Sequence, residues 1–247
     1  MDVTERQCPY LTVPRLQSVP GLVHGFGDAR WSEADFLAFA EAHGMKPVIM
    51  RQLHSDVLHK LEAAPDKKLE GDALLTNVPG LLLVIRTADC LPVLLVDPEN
   101  KAVAAVHCGW RGTEKRILEK AVRAMGEAYG SKPPGILAAL GPCIGAACYE
   151  VGAEVRKAFL EAGFPESILV ERGHLPAIRI PNYQGKYLLD LRAANIWLLG
   201  QLGFRKTFIL NTGPVCTHCE PRLLSYRRHP ANPRRMYNFI GLEASGK

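Results

Sequence analysis

The chain has 247 residues, 47% hydrophobic, 22% charged and 7% aromatic, which is enough for a substantial core and excludes a small cross-linked scaffold. Its 18 prolines and 22 glycines are scattered, which excludes a collagen-like repeat or a long low-complexity tail. Thirty basic against twenty-five acidic residues leave a net charge of +5, too mild to argue for a polyanionic partner unless it is clustered.

The start, MDVTERQCPY, carries acids and no apolar core, so no secretory signal is expected. The most apolar stretch, 80–97, is interrupted by Arg86 and Asp89, short of the roughly 20 apolar residues of a membrane span. Seven cysteines form an odd set, and without an export signal they predict reduced thiols and a cytoplasmic location.

In chain order, Ser32 with Asp35 caps a helix over 33–43 that stops at Gly44. Short apolar or β-branched runs at 48–50, 73–75, 82–85, 92–96 and 103–107, separated by Gly, Pro, Asp and Asn, predict strands of a buried sheet. Asp97-Pro98-Glu99-Asn100 has hairpin character, so the sheet is at least partly antiparallel. A helix is predicted over 113–130, because Ile117, Leu118, Ala121, Val122 and Met125 share one face. A strand at 136–140, helices at 152–162 and 191–202, and a strand at 208–210 after Gly203 complete the reading.

Three predicted strand ends deliver polar residues. The first carries Arg51-Gln52-Leu53-His54-Ser55-Asp56, the second Arg86-Thr87-Ala88-Asp89-Cys90, and the third His107-Cys108-Gly109-Trp110-Arg111-Gly112 running into the Thr113 helix. His54, Cys90 and His107 together are a donor set that zinc accepts, leaving a fourth position open; their spacing is not a local zinc signature. At the third end, Arg111, Gly112 and Thr113 form a candidate anion pocket from a guanidinium and helix-start N–H groups. The same glycines also fit a plain strand-to-helix turn, and Trp110 reads as packing. Cys216-Thr217-His218-Cys219 resembles half of a structural zinc site, but no second CxxC completes it. Flanking Pro214 and Pro221 argue against a redox motif at a helix start, so these cysteines read as turn or interior residues. Five arginines between Arg222 and Arg235, with no acid among them, make a local field suited to anions.

The ordered motifs RQLHSD (51–56), GDALLT (71–76), TADCLPVLL (87–95), VHCGWRG (106–112), LGPCIGAACYEV (140–151), LDLRAAN (189–195) and CTHC followed by SYRR and FIGL resemble one family. It is the laccase-domain or polyphenol oxidase family, later recognised as zinc-dependent purine nucleoside phosphorylases with adenosine deaminase activity. The resemblance implies a single α/β domain over 1–247, with mixed sheets covered by helices. It also implies zinc on His54, Cys90 and His107, and purine nucleosides and phosphate as substrates. Arg111, Gly112 and Thr113 would then hold phosphate, Arg111 would contribute to catalysis, and Asp89 would handle a proton or orient a ligand. The chain departs from the family at Cys108, where a small residue is more usual, placing an extra thiol near the metal. Four-copper oxidases need about ten histidines, many as His-x-His pairs; this chain has eight and no such pair, so copper is only an alternative metal. Two rival readings follow from the residues alone. One is a thiol hydrolase or deamidase using Cys90 with His107 or His54. The other is a nucleic-acid-binding protein, which lacks the interleaved aromatic and basic pattern of a stacking platform.

Overall fold

The computed structural model describes residues 8–171, 185–213 and 215–244. Its two large sheets are both mixed. One has the strand order β1 (Tyr10–Leu11), β2 (Leu22–Gly27), β14 (Met236–Leu242), β6 (Leu81–Thr87), β3 (Lys46–Ile49); only the β3 and β6 pairing is parallel. The other runs β13 (Ile209–Asn211), β9 (Leu137–Leu140), β7 (Leu91–Asp97), β8 (Ala102–Cys108), β5 (Ala73–Thr76), β4 (Leu58–Leu61), with parallel pairs at its two edges. A small antiparallel sheet joins β10 (Glu150–Gly152), β12 (Lys186–Leu189) and β11 (Leu169–Glu171).

The two-residue period of a strand explains the layering. From the first sheet, Phe26, Val48, Leu83, Ile85 and Ile240 meet Leu74, Leu94, Val96, Val103 and Ala105 of the second in one buried cluster. The alternate residues Leu82, Val84, Tyr237 and Phe239 turn outward under helix α2 (Glu33–Ala42), which follows the short α1 (Pro14–Gln17), against Phe36 and Ala40. On the far side, Leu75, Val93, Leu95, Ala104 and Val106 pack under α4 (Ile117–Tyr129), α5 (Ala153–Glu161) and α6 (Leu191–Gln201). Helix, sheet, sheet and helices therefore stack in order. Both faces of the central strands are buried, which is why they read as unbroken apolar runs.

The expected mixed sheets covered by helices are present. The capping box at Ser32 and Asp35 is formed, and the 97–100 turn joins β7 to β8 antiparallel, with Asp97 accepting from the Glu99 and Asn100 amides. Two corrections concern the helix predicted over 113–130. It is two helices, α3 (Trp110–Glu114) and α4, separated at Arg116, whose φ is +61°. A left-handed non-glycine residue costs roughly 1–2 kcal/mol. Here the Arg116 guanidinium stacks near Phe164 and Trp197 and donates to the Ala162 carbonyl at 2.8 Å and to Glu119 at 3.0 Å, which offsets that cost. Thr113 therefore lies inside α3, and the helix starts at Trp110 with Gly109 as its cap.

The candidate site sits on the seam between the large sheets. The chain crosses from one to the other between β3 and β4, and again between β6 and β7. His54 lies on the first crossing and Cys90 on the second, while His107 comes from the end of β8, where it pairs with Pro92.

A candidate metal centre in an arginine-lined cavity

The ligand atoms of His54, Cys90 and His107 all lie within 4.8 Å of one another. His54 is exposed, Cys90 half-buried and His107 buried, so the group opens to solvent on one side. Two of the segments are held in unusual backbone. His54 has φ +56° and Asp89 has φ +93°, conformations that non-glycine residues keep only where the surroundings over-determine them.

At His54 the restraint is Asp72, a fully buried carboxylate at the start of β5. Its Oδ1 accepts from the His54 amide at 3.0 Å and faces His107 Nδ1 at 2.7 Å. Its Oδ2 accepts from the Ser55 amide and hydroxyl, both at 2.6 Å, and from the Leu53 amide at 3.2 Å. Burial opposes ionisation of Asp72, yet the hydrogen bonds from His107 and Ser55 hold its carboxyl down to about 2. The contact fixes the His107 ring so that Nε2 is the nitrogen left for a ligand. Asp72 stood out from no motif by charge or spacing; the signal was its place in GDALLT, one residue before an apolar strand.

At Asp89 the restraint is reciprocal. Its Oδ1 accepts from Thr217 Oγ1 at 2.6 Å, its Oδ2 from the Arg227 amide at 2.7 Å, and its carbonyl from the Ile144 amide at 2.9 Å. Asp89 thus ties the Cys90 turn to the C-terminal loops. Cys90 feels opposing influences: burial raises its thiol, but the charge and hydrogen bond of His107, with His54, bring it down to about 6. Burial would lower His107, yet Cys90 and Asp72 lift it to about 9.

Gly109 is the measure of fit for a metal. A Cβ placed there would stand 3.2 Å from Cys90 Sγ, 3.2 Å from His54 Cδ2 and 3.7 Å from His107 Cε1. The missing side chain leaves room against all three donors, and two imidazoles with a thiolate are chemically suited to zinc.

Around the donors lies a cavity of about 590 Å³. Arg51, Arg86, Arg111, Arg227 and Arg235 line it, and Asp89 is the single acid among its lining residues. The Arg111 guanidinium lies 4.4 Å from the Trp110 ring centroid, and among the described residues no hydrogen bond or ion pair engages it. Arg86 Nε is buried without a hydrogen-bond partner among the described residues, while Gln52 fixes that residue's backbone through bonds of 2.7 and 2.9 Å. Trp110, Tyr149 and Tyr226 supply aromatic surface, so Trp110 does more than pack.

The other predicted positions fare differently. Thr113 is buried, its amide donates to the Gly109 carbonyl at 2.8 Å and its hydroxyl accepts from Asn195 at 3.1 Å; it offers nothing to an anion in this cavity. Gly112 is also buried, and a Cβ there would meet the Ser55 carbonyl oxygen at 3.0 Å, so it serves close packing. Cys108 points to the opposite face of β8 from His107, into the core beneath the helices, where burial pushes its thiol well up; the extra thiol expected near the metal is absent from the group. Of the C-terminal arginines only Arg227 and Arg235 reach the cavity. The CTHC cysteines lie on a turn, as expected, and there Cys216 and Cys219 also converge with Cys148; Pro214 lies outside the described residues.

Residues 30–243 match the model of the family described as multi-copper polyphenol oxidoreductase laccase. The chain belongs to this family. Among its laccase-domain relatives, purine nucleoside phosphorylase YfiH of Shigella flexneri is 37% identical over 80% of this chain and 74% of its own. A purine nucleoside phosphorylase of Deinococcus radiodurans is 41% identical over 70% of this chain and 62% of its own, and adenosine deaminase RL5, from an unknown prokaryote, is 40% identical over 70% and 63%. The crystal structure of the hypothetical protein YfiH of Bacillus licheniformis superposes with a TM-score of 0.83 at 26% identity, covering 96% of this chain and 98% of that one.

Proposed function

We propose that this protein is a zinc-dependent purine nucleoside phosphorylase, working as one domain over 1–247, that also deaminates adenosine. The observation that carries the reading is a cavity with His54, Cys90 and His107 beside five arginines, in which the single lining acid already has both oxygens bonded. Such a field suits a small anion attacking a sugar. The relatives named phosphorylase and deaminase support it.

His54, Cys90 and His107 would hold the zinc, which would supply Lewis-acid chemistry. Arg111, unengaged beside Trp110, would clamp inorganic phosphate through its planar fork, with Arg86 Nε as a second donor. Holding phosphate next to the anomeric carbon lets it attack as the bond to the base breaks and positive charge develops on the sugar. Trp110, Tyr149 and Tyr226 would cover the base and exclude water. Asp89 acts on these groups through Arg227 and Cys90 rather than on the substrate. For deamination, phosphate is not consumed and the arginines matter less.

A second reading rests on Asp72, His107 and Cys90, which stand in the order of a thiol hydrolase triad. One time course separates the possibilities. The zinc-loaded protein is expected to release base from adenosine, guanosine or inosine only with phosphate, giving ribose 1-phosphate, and to form inosine from adenosine without it. Free ribose made without phosphate would identify a nucleoside hydrolase, and no reaction at verified zinc occupancy would leave the thiol hydrolase.

A further inference from the structure

The loop after β9 and the segment before β14 meet on the outer wall of the cavity. Cys143 and Cys216 form a parallel β-bridge, and the Thr217 amide donates to the Cys143 carbonyl at 3.1 Å. This brings the sulfurs of Cys148, Cys216 and Cys219 within 4.8 Å of one another, with Cys148 and Cys219 at 3.4 Å. Four sulfurs or nitrogens around zinc at about 2.3 Å from each sulfur place neighbouring sulfurs about 3.8 Å apart, a spacing that lies between the 3.4 Å contact and the 4.8 Å limit of this group.

Several independent features point the same way. Cys216 and Cys219 are joined by a tight turn, with the Cys219 amide donating to the Cys216 carbonyl at 3.2 Å, the C-x-x-C spacing of thiolate zinc sites. The Gly145 amide donates to Cys216 Sγ at 3.1 Å, a contact that favours the thiolate. A side chain at 145 would crowd it, since a Cβ there would lie 3.3 Å from that sulfur. Three thiolates on a divalent ion leave a net negative charge, and two guanidiniums answer it. Arg228 Nη1 donates to the carbonyls of Thr217, His218 and Glu220, around the turn itself. Arg227 donates to the carbonyls of Cys148 and Glu150. A disulfide would use two of the sulfurs and leave the third without a purpose.

We infer that Cys148, Cys216 and Cys219 form a second metal site, a three-thiolate zinc site separate from His54, Cys90 and His107. Its fourth position faces solvent through the exposed Cys219. The role is structural: Cys148 precedes Tyr149, and the CTHC turn lies near Tyr226 and Arg227 in sequence, so the ion clasps two walls of the cavity together. Binding displaces the remaining thiol protons and involves no oxidation.

Zinc content of the purified chain tests this. The wild-type protein, dialysed free of loose metal, is expected to hold about two zinc ions, Cys90→Ser about one, Cys219→Ser about one and the double variant none. Cobalt loaded into Cys90→Ser should still show strong thiolate charge-transfer absorption, lost on adding Cys219→Ser. Hydrogen exchange in 143–150 should quicken in Cys219→Ser. One zinc that disappears with Cys90→Ser and persists in Cys219→Ser would overturn the clasp and leave the catalytic reading intact. One zinc with the reverse dependence would support the clasp and remove zinc from the catalytic reading. A Cys148–Cys219 disulfide in protein prepared without oxidant would also overturn the clasp.

Discussion

Replacing Asp72 by Asn keeps shape and removes charge, and the structure sets out the consequence. The carboxylate accepts from five donors, two on Oδ1 and three on Oδ2. An amide oriented to keep its oxygen on His107 and His54 turns its NH2 toward Leu53 and Ser55, so two part-buried backbone amides lose their acceptor. Because both amides are only partly buried, the low end of about 1–3 kcal/mol for each unsatisfied group applies, and the variant should be less stable by about 2 kcal/mol. In the opposite orientation the NH2 meets His107 Nδ1, which drives the ring proton to Nε2 and blocks the nitrogen meant for the metal. Loss of such a support typically weakens metal affinity about 10–100-fold. Urea unfolding at neutral pH reads the first quantity and competition against a calibrated chelator the second. Stability within about 0.5 kcal/mol of wild type, together with unchanged zinc affinity, would refute the assignment of Asp72 as the residue that holds both His54 and His107.

Arg111→Lys keeps charge but loses the fork and its stacking on Trp110, so phosphorolysis should fall about tenfold or more through KM for phosphate, while adenosine deamination changes little. Gly109→Ala should fold normally but lower zinc affinity, because its Cβ would press Cys90 and His54 at 3.2 Å; calorimetric zinc titration checks it. Burial lowers the His24 imidazole to about 4, and its Nε2 accepts from the Val13 amide at 3.1 Å. The unfolded chain binds this proton first, so stability is complete above pH 6.5 and about 3 kcal/mol is lost as pH falls from 6.5 to 4. Urea unfolding across that range should show the slope in the wild type and a flatter one in His24→Gln.

Local signals made much of this architecture legible. The Ser32 and Asp35 box marked α2, and the apolar runs marked β5 to β8 within a residue or two at each end. β14 follows a run of arginines that masks its pattern, although Tyr237 and Phe239 alternate with Ile240 and Leu242 as a strand between two cores requires. The break at Arg116 had no signal, since a left-handed arginine depends on Phe164 and Trp197 far along the chain. The same distinction governs the site. His54, Cys90 and His107 were visible as polar residues closing apolar strands. Asp72 and the Cys148 partner of CTHC were not, because each acquires its role only when remote segments pack.

The seam that carries the donors has a consequence for how the molecule certifies itself. His54 and Cys90 lie on two of the crossings between the sheets and His107 on the second sheet alone, so the three converge only once the layers have closed in the right register. A slip of one residue in β8 would send His107 to the opposite face, away from Asp72, and bring Val106 or Cys108 into its place. The proposed metal would thus meet the full set of His54, Cys90 and His107 late, in correctly assembled chains alone, and the identity of its ligands would act as a built-in inspection mark.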